Sequence, residues 1–104
     1  MSTNVCVEMH PNFQMRTYHP NFEISKARIE NFWRPVRPES KDYLKKLGRK
    51  GAVLVRRVLA LHGVAEVTIQ PYELTVRKGL NFSWDDIEPK VLEMIEMSMP
   101  KAVR

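Results

Sequence analysis

The sequence of 104 residues contains a single cysteine, Cys6, and this scarcity limits the chemistry that the chain can perform alone. One cysteine cannot form an internal disulfide, so we expect a reducing, cytoplasmic setting. It also cannot complete a structural zinc or iron–sulfur site, because such sites use several Cys or His ligands. We interpret Cys6 as a small buried residue on an apolar strand. A thiol or metal site shared by Cys6 and His10 is the alternative.

Histidine is scarce as well, with only His10, His19 and His62 in the chain. His10 and His19 each precede a proline, which disfavours helix at the residue before it, so we interpret both as turn residues. His62 stands at the end of a predicted helix, where we expect it to balance the helix dipole or cap carbonyl groups. These interpretations predict no metal site within the chain.

Long apolar runs and catalytic signatures are also missing. No stretch approaches the roughly 18–20 apolar residues that span a bilayer, and residues 1–4 lack the basic and apolar regions of a secretory signal. The sequence has no glycine-rich phosphate loop and no Gly-x-Ser-x-Gly elbow. Asp85, Asp86 and Glu88 are explained by a helix start, where negative charge suits the helix dipole. We therefore predict that the protein is not an enzyme.

The residues that are present predict one folded domain over residues 1–104. Hydrophobic residues make up 43% and charged residues 28% of the chain, which is typical of a soluble globular protein. Apolar residues alternate with polar ones, or form short β-branched runs, in several segments that we predict to be strands. These segments are residues 5–9, 13–18, 64–69 and 73–77, with an ambiguous further strand in residues 27–33. In that segment we expect Ile29 to face inward, with Phe32 or Trp33 as a further candidate.

Helical spacing of apolar residues predicts a helix over residues 52–62, ending at Gly63, because glycine tolerates positive φ there. Its buried stripe is predicted to contain Ala52, Val55, Val58, Leu59 and His62. Ser40 is expected to start a shorter helix, with Leu44 and Leu47 at helical spacing.

Ser83 is expected to cap a last helix that Pro100 ends. Pro89 lies past the first turn of that helix, so we expect a kink or an irregular first turn. The order of strands, helix, hairpin and helix predicts an α+β fold. We expect a two-layer sandwich, with a mostly antiparallel sheet of about four strands and two main helices on one face.

The net charge of +5 is concentrated in residues 41–57, which contain seven Lys or Arg and one Asp. A solvated helix face explains such a cluster. We favour that interpretation, with a surface for an acidic partner or for a phosphate backbone as the alternative. The candidate partner-contact residues are Lys45, Lys46, Arg49, Lys50, Arg56 and Arg57.

Aromatic residues interleave with Lys and Arg over residues 13–37, a pattern found in binders of single-stranded nucleic acid. Alternation along strands favours the opposite interpretation, with aromatic side chains inside and cations outside. Trp84 is interpreted as core, with an exposed partner anchor as the alternative. Met94 is likewise interpreted as core, whereas Met97 and Met99 could belong to a pliable binding surface.

Three segments in the second half of the chain resemble a known family. They are Ala-Leu-His-Gly-Val at residues 60–64, Leu-Thr-Val-Arg-Lys at residues 74–78 and Trp-Asp-Asp-Ile-Glu-Pro-Lys-Val at residues 84–91. A helix ending in Pro-Gly-Val, an Ile-Thr-Val-like strand and a Trp-x-x-Leu-x-Pro helix start are typical of the N-terminal domain of Nfu/NifU-type iron–sulfur scaffold proteins. Glu-Met-His-Pro-Asn at residues 8–12 is similar to that family's Glu-Thr-Pro-Asn-Pro opening. The best match is residues 60–95, and His62 stands where the family commonly has Pro.

Multi-domain members of this family carry a cluster-ligating Cys-x-x-Cys pair in another domain, and this chain lacks that pair. The resemblance therefore implies an accessory or scaffold-associated module that acts in iron–sulfur cluster assembly or delivery by protein–protein contact. Its expected partners are iron–sulfur scaffold proteins or recipient apoproteins. We expect no binding to a membrane. A cluster would be held only through a partner or through Cys6 of two chains. A basic nucleic-acid-binding domain that uses residues 41–57 is the alternative function.

Overall fold

The computed structural model describes residues 5–34 and 38–99. The strands are β1 (Val5–Met9), β2 (Met15–Pro20), β3 (Glu30–Trp33), β4 (Val64–Gln70) and β5 (Glu73–Lys78). The helices are α1 (Lys41–Lys46), α2 (Gly48–Leu59) and α3 (Trp84–Met97), and a short 3-10 turn, Pro38–Ser40, precedes α1. No helix in the described part of the chain is long and apolar enough to cross a membrane.

The strands form one antiparallel sheet in the order β1-β2-β5-β4-β3. The α+β prediction is confirmed, and the sheet has five strands because the ambiguous segment contributes β3. The predicted hairpin is also confirmed, since Gln70 pairs with Glu73 across the two-residue turn Pro71-Tyr72. Phe32 in β3 is buried, whereas Ile29, one residue before β3, is 54% exposed. The expectation for Ile29 is wrong because this residue precedes the paired part of the segment.

One face of the sheet carries the core. Val67 and Ile69 of β4 and Leu74 and Val76 of β5 are all fully buried, whereas the alternate residues of these strands are partly exposed. Helices α2 and α3 pack on this buried face, and their own apolar residues complete the cluster. The two-layer arrangement leaves the exposed face of α2 and the groove between α2 and α3 as outer surface.

Helix α2 begins earlier and ends earlier than predicted. It starts at Gly48, whose φ of +86° separates it from α1, and it ends at Leu59. Gly63 has the predicted positive φ, +99°. His62 lies beyond the last turn and is exposed, so its place in the buried stripe is wrong.

Gly51 lies inside α2 because the chain passes too close for a side chain. An added Cβ would lie 2.8 Å from the carbonyl oxygen of Ile24 and 2.8 Å from Leu47 Cβ. Gly51→Ala is expected to destabilise the protein by about 1–2 kcal/mol, because overpacking against rigid backbone outweighs the higher helix propensity of alanine. Urea denaturation measures the change, with Arg56→Ala on the exposed face of α2 as the control. A stabilised Gly51→Ala variant would contradict the predicted clash.

Helix α3 begins as predicted, because the Ser83 side chain accepts a hydrogen bond of 3.1 Å from the Asp85 amide. The helix continues through Pro89 to Met97 without a break in its assignment. The predicted stop at Pro100 lies outside the described residues. By contrast, Ser40 occupies the N-cap position of α1 but makes no side-chain capping bond.

Candidate functional site

The six candidate partner-contact residues are exposed cations of two consecutive helices, and we call them together the basic surface. Two of them belong to the last turn of α1 and four to α2, and all six are exposed. Helical spacing explains this, because Leu54, Val55, Val58 and Leu59 bury the opposite side of α2. The basic surface consists of Lys45, Lys46, Arg49, Lys50, Arg56 and Arg57.

The basic surface has no acidic partner within the described residues. The ion pairs among the described residues involve other cations, namely Arg16, His19, Lys26 and Arg77. Within the basic surface, the Lys46 ammonium lies 5.0 Å from the ring centroid of Tyr43, one turn earlier on α1. The positive charge of the basic surface is therefore available for contact with another molecule.

Part of the basic surface borders a groove of about 470 Å³ between α2 and α3. Arg49, Val53 and Arg57 follow one another at intervals of four residues, so they lie on one side of α2. Met94 and Met97 of α3 form the facing wall. Sequence reasoning placed Met94 in the core and left Met97 open, because the methionine spacing does not reveal which helix lies next to α3. Met94 is half-buried, and Met97 is 62% exposed.

Cys6 is exposed, and the prediction of a buried cysteine is wrong. The reason is the strand order: β1 is an edge strand, and Cys6 lies opposite His19 on β2. His19 is also not a turn residue, since it belongs to β2 and contacts Glu8 at 2.8 Å and Glu73 at 3.8 Å.

The residues near Cys6 do not fit a metal or cluster site. Within residues 5–34 and 38–99, no group of three or more His, Cys, Asp or Glu side chains is arranged to hold a metal ion. His10 lies 2.6 Å from the Thr17 hydroxyl, which lies 2.8 Å from the Thr75 hydroxyl. These contacts give His10 a structural role on the polar face of the sheet.

His62 packs against an aromatic ring instead of capping the preceding helix. Its ring meets that of Phe82 edge to face, with centroids 4.9 Å apart. The Arg34 guanidinium instead donates to the carbonyl oxygen of Leu61 at 3.1 Å. Leu61 lies two residues past the end of α2, so Arg34 stabilises the turn after the helix and does not cap the helix itself. Local sequence does not indicate this contact, because Arg34 follows β3.

Trp84 is a core residue, as predicted, and it connects α3 to the loop between β1 and β2. It is 8% exposed, and its indole nitrogen donates to the Phe13 carbonyl oxygen at 2.7 Å. The Arg16 guanidinium lies 5.1 Å from the indole centroid and donates to Glu88 at 2.7 Å. The buried Tyr18 hydroxyl donates to the same Glu88 oxygen at 3.2 Å. Glu88 therefore connects α3 to β2, beyond its predicted role at a helix start.

Tyr18 makes stability depend on pH. Burial, followed by the negative charge of Glu88, raises the pKa of Tyr18 well above its ordinary value. The folded state thus favours the neutral phenol, whose contribution is complete below about pH 10 and is lost as the pH rises further. Tyr18→Phe should cost about 1 kcal/mol at neutral pH, and its difference from wild type should shrink above about pH 10.

Urea denaturation between neutral pH and pH 11 tests this prediction for Tyr18. Tyr72→Phe is the matched control, because Tyr72 is 56% exposed at the hairpin turn. A wild-type advantage over Tyr18→Phe that stays constant or grows with pH would contradict it.

Two aromatic residues depart from the expectation that aromatic side chains lie inside. Tyr18 and Phe32 are buried, but Phe13 is 63% and Trp33 is 66% exposed. Trp33 belongs to the edge strand β3, whereas Phe13 follows β1 at the opposite edge of the sheet. The two exposed rings therefore do not form a shared platform for stacking bases.

Solved structures with the same fold include two that cover most of this chain. A crystal structure of a Staphylococcus aureus protein matches with a TM-score of 0.64 and 13% identity, over 88% of this chain and 98% of that one. The solution structure of a NifU-like protein from Saccharomyces cerevisiae matches with a TM-score of 0.68 and 14% identity, over 91% of this chain and 76% of that one. At these identities the likeness shows the fold alone.

The sequence gives a more specific assignment than the fold. Comparison with curated protein sequences finds no match. Residues 5–101, however, match the family described as the N terminal of the scaffold protein Nfu/NifU. This match extends over β1 to α3 and includes the three segments on which the resemblance was based. The chain therefore belongs to the Nfu/NifU N-terminal family.

Proposed function

We propose that this protein serves iron–sulfur cluster assembly or delivery by contacting a cluster scaffold or a recipient apoprotein through its basic surface. Membership of the Nfu/NifU N-terminal family supports the place in cluster biology. The observation that carries the mode of action is the exposure of six cations, none of which forms an ion pair within the described residues. Such a surface attracts an acidic partner and accelerates encounter.

In this proposal the cluster is cargo held by the partner, and the protein performs no catalysis. Cys6 is the sole thiol of the sequence. His19, which lies opposite Cys6, contacts Glu8, and His10, four residues farther along the chain, contacts Thr17. Because Cys6 is exposed on an edge strand, two chains could bring two thiols together only by associating through β1. Contact through the basic surface requires no such association.

Affinity capture with chemical cross-linking tests the proposal. The whole chain is used as bait in an extract of its source organism, beside a variant with Lys45, Lys46, Arg49 and Arg56 all changed to Glu. Wild type is expected to retain a protein that holds or receives an iron–sulfur cluster, with cross-links to α1 or α2, and the variant to lose it. Failure to capture a cluster protein, or equal capture by both baits, would overturn the proposal.

Two further measurements separate the alternatives. Anaerobic reconstitution with iron and sulfide should leave the isolated chain without cluster absorbance; absorbance that Cys6→Ala abolishes would favour a shared cysteine site. Binding of single-stranded and duplex oligonucleotides, with affinity falling steeply as salt increases, would favour a nucleic-acid-binding domain. Neither the fold nor the family comparison supports that second alternative.

A further inference from the structure

The groove between α2 and α3 combines an apolar interior with a cationic border. Val53 is 42% and Met97 is 62% exposed, and Met94 is half-buried beside them. Arg49, Lys50 and Arg57 stand along the α2 side, and the described residues that line the groove include no Asp or Glu. The groove can therefore hold apolar side chains and carboxylates at the same time.

The start of α2 has an excess of positive charge. Its first turn contains Arg49 and Lys50 but no acidic residue. The N-terminal end of a helix already carries partial positive charge, so these cations are placed where the helix dipole disfavours them. Anionic groups bound here would be stabilised by both the side chains and the dipole, and arginine can hold a carboxylate through two parallel hydrogen bonds.

The apolar part of the groove favours a protein segment over other anions. Exposed Met and Val side chains offer no aromatic surface for stacking bases, whereas flexible methionines adapt well to apolar side chains of a partner. A volume of about 470 Å³ accommodates a few such side chains. A second copy of this chain is disfavoured, because it would bring a second basic surface against the first.

We infer that the groove between α2 and α3 binds an acidic amphipathic segment of the partner protein, seating apolar side chains on Val53 and Met97 and carboxylates against Arg49, Lys50 and Arg57. This inference rests on the proposed function in that it names the partner chemistry for part of the same surface. It specifies an extended or helical segment with apolar anchors flanked by acids, a known mode of helix-in-groove recognition.

Selection from an unbiased library of random 16-residue peptides tests the inference, with the whole chain as target at physiological salt. Enriched peptides are expected to combine acidic residues with apolar anchors and to perturb the amide NMR signals of α2 and the second half of α3. The double variant Arg49→Gln with Arg57→Gln should bind a selected peptide at least about tenfold more weakly than wild type, with a reduced salt dependence. Met97→Gln should weaken it similarly while leaving the salt dependence unchanged.

Lys90→Gln is the matched control, because this exposed cation lies in the middle of α3 and does not line the groove. It should leave peptide affinity unchanged. The inference is overturned if no peptide is enriched, if the enriched peptides lack acidic residues, or if they bind all variants equally. It is also overturned if light scattering shows dimers that Met97→Gln dissociates, since the occupant would then be a second copy.

The outcomes for groove and function are distinguishable. If acidic peptides bind the groove but the bait captures no cluster protein, the inference about the groove is supported and the proposed function is refuted. If a captured cluster protein cross-links to α1 and its capture is insensitive to Met97→Gln, the proposed function is supported and the inference about the groove is refuted.

Discussion

Trp84→Ala is expected to destabilise the protein by about 3–5 kcal/mol, which is typical of removing a buried Trp side chain. Trp84 is 8% exposed, and its indole nitrogen donates a hydrogen bond to the Phe13 carbonyl oxygen at 2.7 Å. The Arg16 guanidinium lies over its ring, 5.1 Å from the centroid. Removal of the indole leaves a cavity between α3 and the sheet and an unsatisfied carbonyl. Since small proteins have only about 5–15 kcal/mol of stability, the variant should be close to unfolding. Urea denaturation followed by circular dichroism measures the loss.

Trp33→Ala is the control for this prediction, because Trp33 is 66% exposed on the edge strand β3. A change within about 0.5 kcal/mol is expected for such a surface position. The two variants also separate the fluorescence of the two tryptophans, so that the emission of Trp84 alone can be followed in Trp33→Ala. Equal losses of stability in the two variants would contradict the core role of Trp84.

Leu54→Ala is expected to cost about 2–5 kcal/mol, the second-largest effect. Leu54 is 1% exposed on α2 and belongs to the core below the groove. Truncation there removes apolar contacts with neighbouring core residues and leaves a cavity that the packed sheet cannot fill. Thermal and urea denaturation both report the loss, which is separate from any change in peptide affinity.

Val53→Ala provides the matched control, because Val53 is the preceding residue of the same helix and is 42% exposed. Its effect on stability should stay within about 0.5 kcal/mol, whereas the affinity for a groove-binding peptide should fall. A comparable loss of stability in both variants would contradict the assigned burial of α2. The contrast also explains why the binding experiments change residues at the groove surface and leave Leu54 intact.

The basic surface shows how far periodicity alone can lead. Residues at helical spacing in α2 alternate between apolar and cationic, so the exposure of Arg49, Lys50, Arg56 and Arg57 follows from the sequence once a helix is assumed. The facing wall of the groove does not follow from the sequence. Met97 belongs to another helix, and only the packing of α3 against α2 places the two side by side.

Cys6 and Glu88 illustrate the same division. An apolar run predicts the strand that contains Cys6, but the strand order places that strand at the edge and exposes the thiol. Negative charge near a helix start accounts for Glu88 locally. Its contacts with Arg16 and Tyr18 join residues about 70 positions apart, a separation that local patterns cannot encode.

The sequence by itself determined the α+β class, the β4–β5 hairpin, the capped start of α3, the positive φ of Gly63 and the family, because these depend on local propensity and short motifs. The tertiary structure alone decided the fifth strand, the exposure of Cys6, the Glu88 contacts and the groove between α2 and α3. Each of these depends on which elements become neighbours. That choice is made by burial of the whole core and not by any single segment.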